Sequence, residues 1–191
     1  MAWRNRFAEG KEIIMQAFNP NKFDSLVHYV CAKGDTDKLG AIKLNKILWF
    51  SDIIRYFVKG ESITGAMYIK REFGPVPRPM PGALERLKEQ GRLSITDTVH
   101  YGLPKREFRP LLDPNLTDFA PDEISLVDDV MDIIINQHTA HSISELTHDK
   151  IWKLAEIGEE IPYYTVLSSS FGEIDEDDIA WAKEVITREA A

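Results

Sequence analysis

The sequence predicts an α+β, mainly α-helical fold: a compact helical domain with a winged-helix-like β-hairpin. The 191 residues are 43% hydrophobic and 28% charged, which is typical of one globular domain with a core. Residues 41–58 carry the strongest helical pattern, because their apolar side chains recur at three- and four-residue spacing. After a short helical segment, residues 92–101 alternate apolar and polar side chains, which indicates a strand. A helix followed by a two-stranded hairpin is the local pattern of a winged helix.

Three helices are predicted in the first half of the chain, over residues 1–18, 23–32 and 41–58. Asn19 and Pro20 end the first helix, and Gly34 closes the second. The third helix has the widest apolar face and is expected to be the centre of the core. Residues 62–81 contain two glycines and four prolines, which favours a loop with at most a short strand around 67–69.

The second half is predicted to contain one β-hairpin and several helices. Residues 102–104 turn the strand 92–101 back into a return strand over 106–111, where Pro110 favours an edge position. Ser142 and Glu145 have the spacing of a capping box and should start a short helix. The other predicted helices cover residues 83–90, 122–137, 149–157 and 175–189.

Charge is distributed unevenly along the chain. Residues 1–40 carry 6 basic and 5 acidic side chains, residues 41–110 carry 13 and 7, and residues 111–191 carry 4 and 19, which gives the net charge of −8. The basic middle favours a polyanion-binding surface, and the acidic C-terminal part favours a surface for a basic protein partner.

Several classes of protein are excluded by composition. The apolar stretch 41–58 is interrupted by four charged residues, so it does not resemble a membrane span. Residues 1–10 lack the apolar region of a secretory signal, and Cys31 is the single cysteine, so an internal disulfide is excluded. The expected location is the cytoplasm.

No convincing catalytic set occurs in the sequence. A glycine-rich phosphate loop, a G-x-S-x-G elbow and an H-E-x-x-H helix are all absent. Cys31 falls on an apolar helix face and is interpreted as a core thiol. Residues 173–178 have a faint resemblance to a calcium loop but fit a solvated helix cap better. The best candidates for metal ligands are His138, His141, His148 and Asp149. The favoured interpretation is that these are helix-terminal or partly buried side chains without a metal. No enzyme activity, catalytic residue, metal or cofactor is therefore expected.

Basic residues concentrate on the predicted helix and hairpin that winged-helix proteins place on nucleic acid. They are Arg78, Arg86, Lys88, Lys105, Arg106 and Arg109. The competing interpretation is a solvated face, and Glu85 and Glu89 on the same helix would oppose phosphate.

Three segments together resemble the Panacea domain, the family of SocA-like antitoxins. Residues 43–52 (KLNKILWFSD) resemble its K-L-x-K-L-L-Y-F-A-D helix, residues 73–76 (FGPV) its G-P-V turn before a helix, and residues 146–148 (LTH), with Trp152 following, its L-[ST]-H and tryptophan. Trp49 and Ser51 depart from the usual tyrosine and alanine. The resemblance covers about residues 23–161 and implies a Panacea-like domain over 19–162, between an N-terminal helical extension (1–18) and an acidic C-terminal helical extension (163–191) packed on the same domain.

The motif residues are expected to be mainly structural. Leu44 and Leu48 would fill the core, Lys43 and Lys46 would extend their stems along its edge, and Gly74 would allow a sharp turn before Pro75. The motif residues are Lys43, Leu44, Lys46, Leu48, Phe50, Asp52, Gly74, Pro75, Val76, Leu146, His148 and Trp152. His148 is expected to hold the short helix against the central one, and Trp152 to bury a large apolar surface.

The resemblance implies a proteic antitoxin that neutralises a cognate protein toxin by direct contact and, in some members, presents it to an ATP-dependent protease. It also implies a role in phage defence. Candidate toxin-binding residues in the two extensions are Phe7, Ile14, Phe18, Glu173, Asp175, Glu176 and Asp177. The alternative function is a winged-helix DNA-binding transcriptional regulator, and a hydrolase is a more distant third. DNA binding and membrane association are not expected.

Overall fold

A computed structural model describes residues 16–100, 102–148 and 150–163. Within them the chain forms six helices and two antiparallel sheets of two strands each. The helices are α1 (Pro20–Lys33), α2 (Ala41–Lys59), α3 (Met80–Glu89), α4 (Pro121–Gln137), α5 (Ala140–Leu146) and α6 (Lys150–Leu154). The strands are β1 (Tyr68–Arg71), β2 (Gly74–Pro77), β3 (Leu93–His100) and β4 (Leu103–Pro110). The prediction of a mainly helical α+β fold is confirmed.

Helix α2 is the centre of the core, as the sequence predicts. It contacts α1, α4, α5 and β2, and its residues Leu44, Ile47 and Leu48 are fully buried. Burial of such side chains stabilises the fold by about 1.5 to 3 kcal/mol each. The helix ends at Gly60, whose φ of 81° is the left-handed conformation that glycine adopts without strain.

Helix α1 begins where the predicted N-terminal helix was expected to end. The side chain of Asn19 accepts a hydrogen bond from the backbone N–H of Lys22 and so caps α1. Residues 16–18 are not helical, so the prediction of a helix through residue 18 is wrong at its C-terminal end; the rest of it lies outside the described residues. The amide of Gln16 instead forms hydrogen bonds with the backbone and hydroxyl of Ser62.

The interpretation of residues 62–81 as a loop with at most a short strand is wrong. They contain the β1–β2 hairpin, in which Arg71 pairs with Gly74 across a two-residue turn. The G-P-V segment therefore lies in strand β2 and not in a turn. The other edge of β1 is covered by residues 158–161, because Lys70 N–H donates to Glu159 and Ile161 N–H donates to Tyr68.

The hairpin predicted after α3 is present. Strand β3 pairs with β4 from Leu93↔Pro110 to His100↔Leu103, so the return strand begins three residues earlier than predicted. Phe108 of β4 and Leu93 of β3 are buried in the common core. Pro110 lies at the end of the ladder, where a missing N–H is tolerated.

The C-terminal part differs from the prediction in its boundaries. Thr139, not Ser142, caps α5: its hydroxyl accepts from Ser142 N–H while the Ser142 hydroxyl accepts from Thr139 N–H. Helix α6 ends at Leu154 rather than at Ile157. The predicted helix 175–189 lies outside the described residues. No helix in the described part of the chain is both long and apolar enough to cross a membrane.

Candidate functional site

The three motif segments, which are far apart in sequence, meet at the side-chain amine of Lys46. Lys46 lies on α2, Gly74 begins β2, and Thr147 directly follows α5. A Cβ atom added at Gly74 would collide with both Lys46 Nζ and Thr147 Oγ1. Because Gly74 also has a φ of 101°, a glycine is required at this close approach for two independent reasons.

Lysines 43, 46 and 70 are buried, and their amines have different surroundings. Lys43 Nζ donates to the carbonyl of Ile135 at 3.0 Å, and Lys70 Nζ donates to the carbonyl of Ala155 at 2.9 Å. Lys46 is only 1% exposed, and its amine has no hydrogen-bond partner among residues 16–100, 102–148 and 150–163. The expectation that Lys46 extends its amine along the edge of the core is therefore wrong.

Burial lowers the pKa of the Lys43 and Lys46 amines. Removal of the Lys46 ammonium from water lowers its pKa to about 7. The pKa of Lys43 is also lowered, first by burial and then by the positive charge of Lys38. Lys46 is thus a half-protonated buried amine near neutral pH.

His148 directly follows Thr147 in the chain and contacts Trp152. Their rings are stacked, with centroids 3.7 Å apart and planes 13° apart. Burial lowers the pKa of His148; the Glu145 carboxylate, 3.3 Å from His148 Nδ1, opposes this shift, and the charge of Lys46 adds to it. His148 lies between α5 and α6, and the effect of Lys46 on its pKa places it near the central helix α2. Its expected role in holding the short helix against the central one stays a prediction.

Trp152 is half-buried and connects α6 to the first hairpin. Its indole N–H donates to the carbonyl of Arg71 at 3.2 Å, and Lys70 Nζ lies 4.2 Å from the ring centroid. This is the distance range of a cation–π contact. The hydroxyl of Ser144 donates to the carbonyl of Phe73 at 2.9 Å and so connects α5 to the same hairpin.

A shallow groove of about 760 Å³ lies between the hairpin turn and α6. Its lining residues are Lys70, Arg71, Glu72, Phe73, Trp152 and Ile157. Phe73 is 52% exposed, and Ile157 is also exposed. The groove is adjacent in sequence to two of the residues around the Lys46 amine: Phe73 precedes Gly74, and His148, whose ring stacks on Trp152, follows Thr147.

Asp52, the acidic residue of the first motif, is fully buried below the start of β1. Its carboxylate accepts four hydrogen bonds, from the N–H groups of Ile63 and Thr64, the Thr64 hydroxyl and the Tyr68 hydroxyl, at 2.8 to 3.2 Å. Burial raises the pKa of Asp52 to about 6, although these donors act in the opposite direction. The network attaches residues 62–68 to α2.

The remaining motif residues occupy different environments. Leu44 and Leu48 are in the core, Phe50 is partly buried against it, and Pro75 and Val76 are in β2. Leu146 is exposed at the end of α5.

Three side chains of the predicted basic patch form ion pairs or hydrogen bonds to oxygen atoms within the protein. Arg86 forms a two-pronged ion pair with Asp24, with both N–O distances at 2.7 Å, and Arg106 pairs with Asp97 in the same way. Lys105 Nζ donates to the carbonyls of Thr36 and Asp37. Arg86 thus connects α3 to α1, Lys105 connects the second hairpin to the segment before α2, and Arg106 connects the two strands of that hairpin. These contacts reduce what the three side chains offer to phosphate.

The other chemical candidates remain separate. No group of three His, Cys, Asp or Glu side chains that could share a metal occurs in the described part of the chain. His138 contacts Ser142, and Asp149 and residues 173–178 lie outside the described residues. Cys31 is fully buried, and burial raises its pKa far above the usual range, so the thiol stays protonated.

The candidate toxin-binding residues in the extensions lie almost entirely outside the described residues. These are Phe7, Ile14, Glu173, Asp175, Glu176 and Asp177. Phe18 is described: it is partly exposed and packs edge-on against Phe23, with ring centroids 5.8 Å apart.

Lys70, Phe73 and Ile157 of the groove are not predicted from the sequence as site residues. The alternation of Tyr68 and Lys70 with Ile69, followed by a glycine after a two-residue turn, is the signal that could have indicated the hairpin and its exposed Phe73.

Residues 44–153 match the protein family described as Antitoxin SocA-like, Panacea domain. The match covers more than half of the chain and contains Lys46, Gly74, Thr147 and Trp152. The chain therefore belongs to the Panacea-domain family of SocA-like antitoxins. No curated protein and no solved structure matches it.

Proposed function

We propose that this protein is an antitoxin that neutralises one cognate protein toxin by forming a stoichiometric complex with it in the cytoplasm. The observation that carries the proposal is the family match over residues 44–153, within which three motif segments converge beside an exposed groove. A groove with apolar and charged walls is a surface that binds protein segments. The family is not a known enzyme family, which supports binding rather than catalysis.

The chemistry of the buried groups also supports a binding function. Asp52 and Cys31 have strongly shifted pKa values, but both are enclosed by the fold. A group that acts on a substrate must reach it within about 3 Å, directly or through one water. These two groups therefore lack the access that a catalytic role requires.

Co-expression with the protein encoded by the adjacent reading frame tests the proposal. Expression of the neighbour alone should stop growth, and co-expression should restore growth and yield a complex of fixed stoichiometry on purification. Rescue by amounts of this chain far below those of the toxin, with no complex, would contradict neutralisation by binding.

Presentation of the toxin to an ATP-dependent protease is a second step of the same proposal. It predicts that the toxin's half-life shortens when this chain is co-expressed and recovers in a strain that lacks the responsible protease. Neutralisation that persists in every such strain would leave direct binding as the sufficient mechanism.

DNA binding is less well supported, because Arg86, Lys105 and Arg106 already have partners. A regulator that contacts phosphates should lose affinity steeply as salt rises. We expect no nanomolar complex with the promoter DNA of its own operon at physiological salt. A salt-sensitive nanomolar complex that the Lys88→Ala variant weakens would favour the regulator.

A further inference from the structure

We propose that Lys46 is a carboxylate-binding residue for the toxin, and that the toxin segment which brings this carboxylate lies in the groove between Phe73 and Trp152. The inference rests on the proposed function and specifies the contact at its centre. The partner chemistry is an acidic residue flanked by apolar residues.

The first step concerns what the fold itself requires at position 46. A buried amine without a partner costs free energy, whereas an apolar side chain of similar length would fill the same space without that cost. Lys43 and Lys70 are buried like Lys46, but each donates to a carbonyl of the chain. Since the described residues offer Lys46 no acceptor, the folded domain by itself does not explain why a lysine is present.

The second step concerns the kind of group that would satisfy this amine. An ammonium group only donates, and its strongest partner is a carboxylate oxygen. The nearby Thr147 hydroxyl donates to the Ser144 carbonyl at 2.8 Å, and its oxygen forms no hydrogen bond with Lys46 Nζ. Glu145, an acidic side chain of α5, pairs with His148. A carboxylate from a second protein is therefore the group that the site lacks.

The third step concerns access. Lys46 Nζ lies against Gly74, and the next residue back along the chain, Phe73, forms one wall of the groove. The four-carbon stem of a lysine lets its amine turn toward this wall without movement of α2. Exposed Phe73 and Ile157 would contact the apolar neighbours of the incoming carboxylate.

The test uses two lysine variants of the full chain, Lys46→Met and Lys43→Met. Toxin affinity is measured by titration calorimetry with the purified neighbour whose toxicity this chain suppresses, and stability by thermal unfolding. Lys46→Met should keep or raise the melting temperature while toxin affinity falls at least tenfold. Lys43→Met, which removes the hydrogen bond to Ile135, should lower the melting temperature and leave the affinity of the folded protein unchanged.

A second pair of variants tests the groove without touching the core. Phe73→Ala should weaken toxin binding, whereas Phe57→Ala, at a phenylalanine 54% exposed on α2, should not. If Lys46→Met does not fold, or loses as much stability as Lys43→Met, then Lys46 is structural and the proposal is wrong. Equal affinities of the Phe73→Ala and Phe57→Ala variants would also overturn it.

The remaining outcomes separate this inference from the proposed function. Unchanged toxin affinity of Lys46→Met beside a wild-type complex would overturn the lysine site and leave the antitoxin function intact. Absence of a wild-type complex would overturn both. If removal of residues 164–191 lowers the melting temperature of the wild type but not of Lys46→Met, the chain's own acidic C-terminal part occupies the site, and the assignment to the toxin is wrong.

Discussion

Lys43 and Lys46 lie three residues apart on α2, and both amines are buried in the domain. The carbonyl of Ile135 compensates Lys43 for part of its lost hydration, but the described residues contain no such group for Lys46. Burial disfavours the charged form of both amines, as their lowered pKa values indicate, but only Lys43 has an acceptor that offsets part of this cost. Removal of the amine should therefore be tolerated better at position 46 than at position 43.

The pH dependence of stability should report the cost of Lys46. Its pKa is about 7 in the folded protein and 10.5 in an unfolded chain, so between these values the unfolded state binds the additional proton. The free energy of unfolding should then rise with pH from about 7, by at most about 1.4 kcal/mol per pH unit, with the full cost present below pH 7. Urea titrations of wild type and Lys46→Met at pH 6 to 9 measure this contribution as a difference.

Wild type and Lys46→Met must be compared at each pH, because the titration of Cys31 changes the free energy of unfolding in the opposite direction. Its thiol pKa is raised by burial, so stability falls above the ordinary thiol pKa, where only the unfolded chain loses this proton. His148, which faces Lys46, has a lowered pKa and titrates below this window. A stability difference between wild type and Lys46→Met that stays constant from pH 6 to 9 would contradict the lowered pKa of Lys46 in the folded protein.

Replacement of Asp52 by asparagine should preserve stability, whereas its replacement by alanine should not. In Asp52→Asn, the amide oxygen can accept from the N–H groups of Ile63 and Thr64, while its NH₂ group donates to the hydroxyls of Thr64 and Tyr68. We expect the free energy of unfolding at pH 7 to remain equal or rise. Asp52→Ala leaves two buried N–H groups without an acceptor, at a cost of about 1 to 3 kcal/mol each.

The acid range provides the second readout for Asp52. Its pKa is about 6 in the folded protein and 3.8 in the unfolded chain, so the folded state binds the additional proton between these values. Stability should therefore fall as pH rises from about 4 to 6, and Asp52→Asn should remove this decrease. Denaturant titrations at pH 4, 5 and 6 test this. An unchanged slope in Asp52→Asn would show that another group titrates.

At the level of elements, α2 could be predicted from the sequence but the β1–β2 hairpin could not. The helix is specified by its own periodic residues, such as Leu44, Ile47 and Leu48. The hairpin contains Pro75 and Pro77, which locally favour a loop, and it is stabilised by residues 158–161 and by Ser144 from far along the chain. Such long-range partners are invisible in a local pattern.

Gly74 allows the hairpin to approach α2, and its substitution should be more harmful than that of another glycine with positive φ. Gly60 is the matched control: its φ is 81°, and no atom lies within 4 Å of an added Cβ. Gly60→Ala should cost only the conformational strain, about 1 kcal/mol, whereas Gly74→Ala should cost the strain and the displacement of Lys46 and Thr147, about 3 kcal/mol or more. Thermal and urea unfolding measure both, and equal losses would contradict the close packing.

The candidate site could be predicted from the sequence only in part. The motif pattern identifies Lys46, Gly74 and His148 as a group, but it does not indicate that one amine is left without an acceptor. That property depends on where the carbonyls of Ile135 and Ala155 lie, which is fixed by α4 and by the segment after α6. Likewise, the partners of Arg86 and Lys105 lie on α1 and on the segment before α2.

On the scale of the whole molecule, charge is segregated along the chain. Residues 41–110 carry 13 basic and 7 acidic side chains, whereas residues 111–191 carry 4 and 19. An acidic surface of this kind attracts a basic partner over distances up to about the Debye length, near 8 Å at physiological salt. It affects the rate of association more than the final affinity.

The N-terminal extension can be tested separately from the fold. Gln16 must be kept, because its amide forms hydrogen bonds with Ser62 and so stabilises the loop before β1. Removal of residues 1–15, which carry Phe7 and Ile14, should weaken toxin neutralisation more than it lowers the melting temperature. Growth rescue and thermal unfolding of the same variant provide the comparison. Equal neutralisation by the shortened chain would remove this extension from the interface.

The acidic C-terminal extension should act on the rate of complex formation. Four substitutions to the corresponding amides remove its charge, at Glu173, Asp175, Glu176 and Asp177. We expect association with a basic toxin to slow about tenfold or more at low salt, and the difference to vanish near 1 M salt, where the Debye length is about 3 Å. Stopped-flow association kinetics at several salt concentrations measure this effect.

The matched control changes the net charge equally at exposed positions elsewhere, with the corresponding amides at Glu61, Glu85, Glu89 and Asp118. If both sets slow association to the same extent, net charge and not the C-terminal surface directs the encounter; if neither set does, electrostatic attraction plays no part in toxin binding.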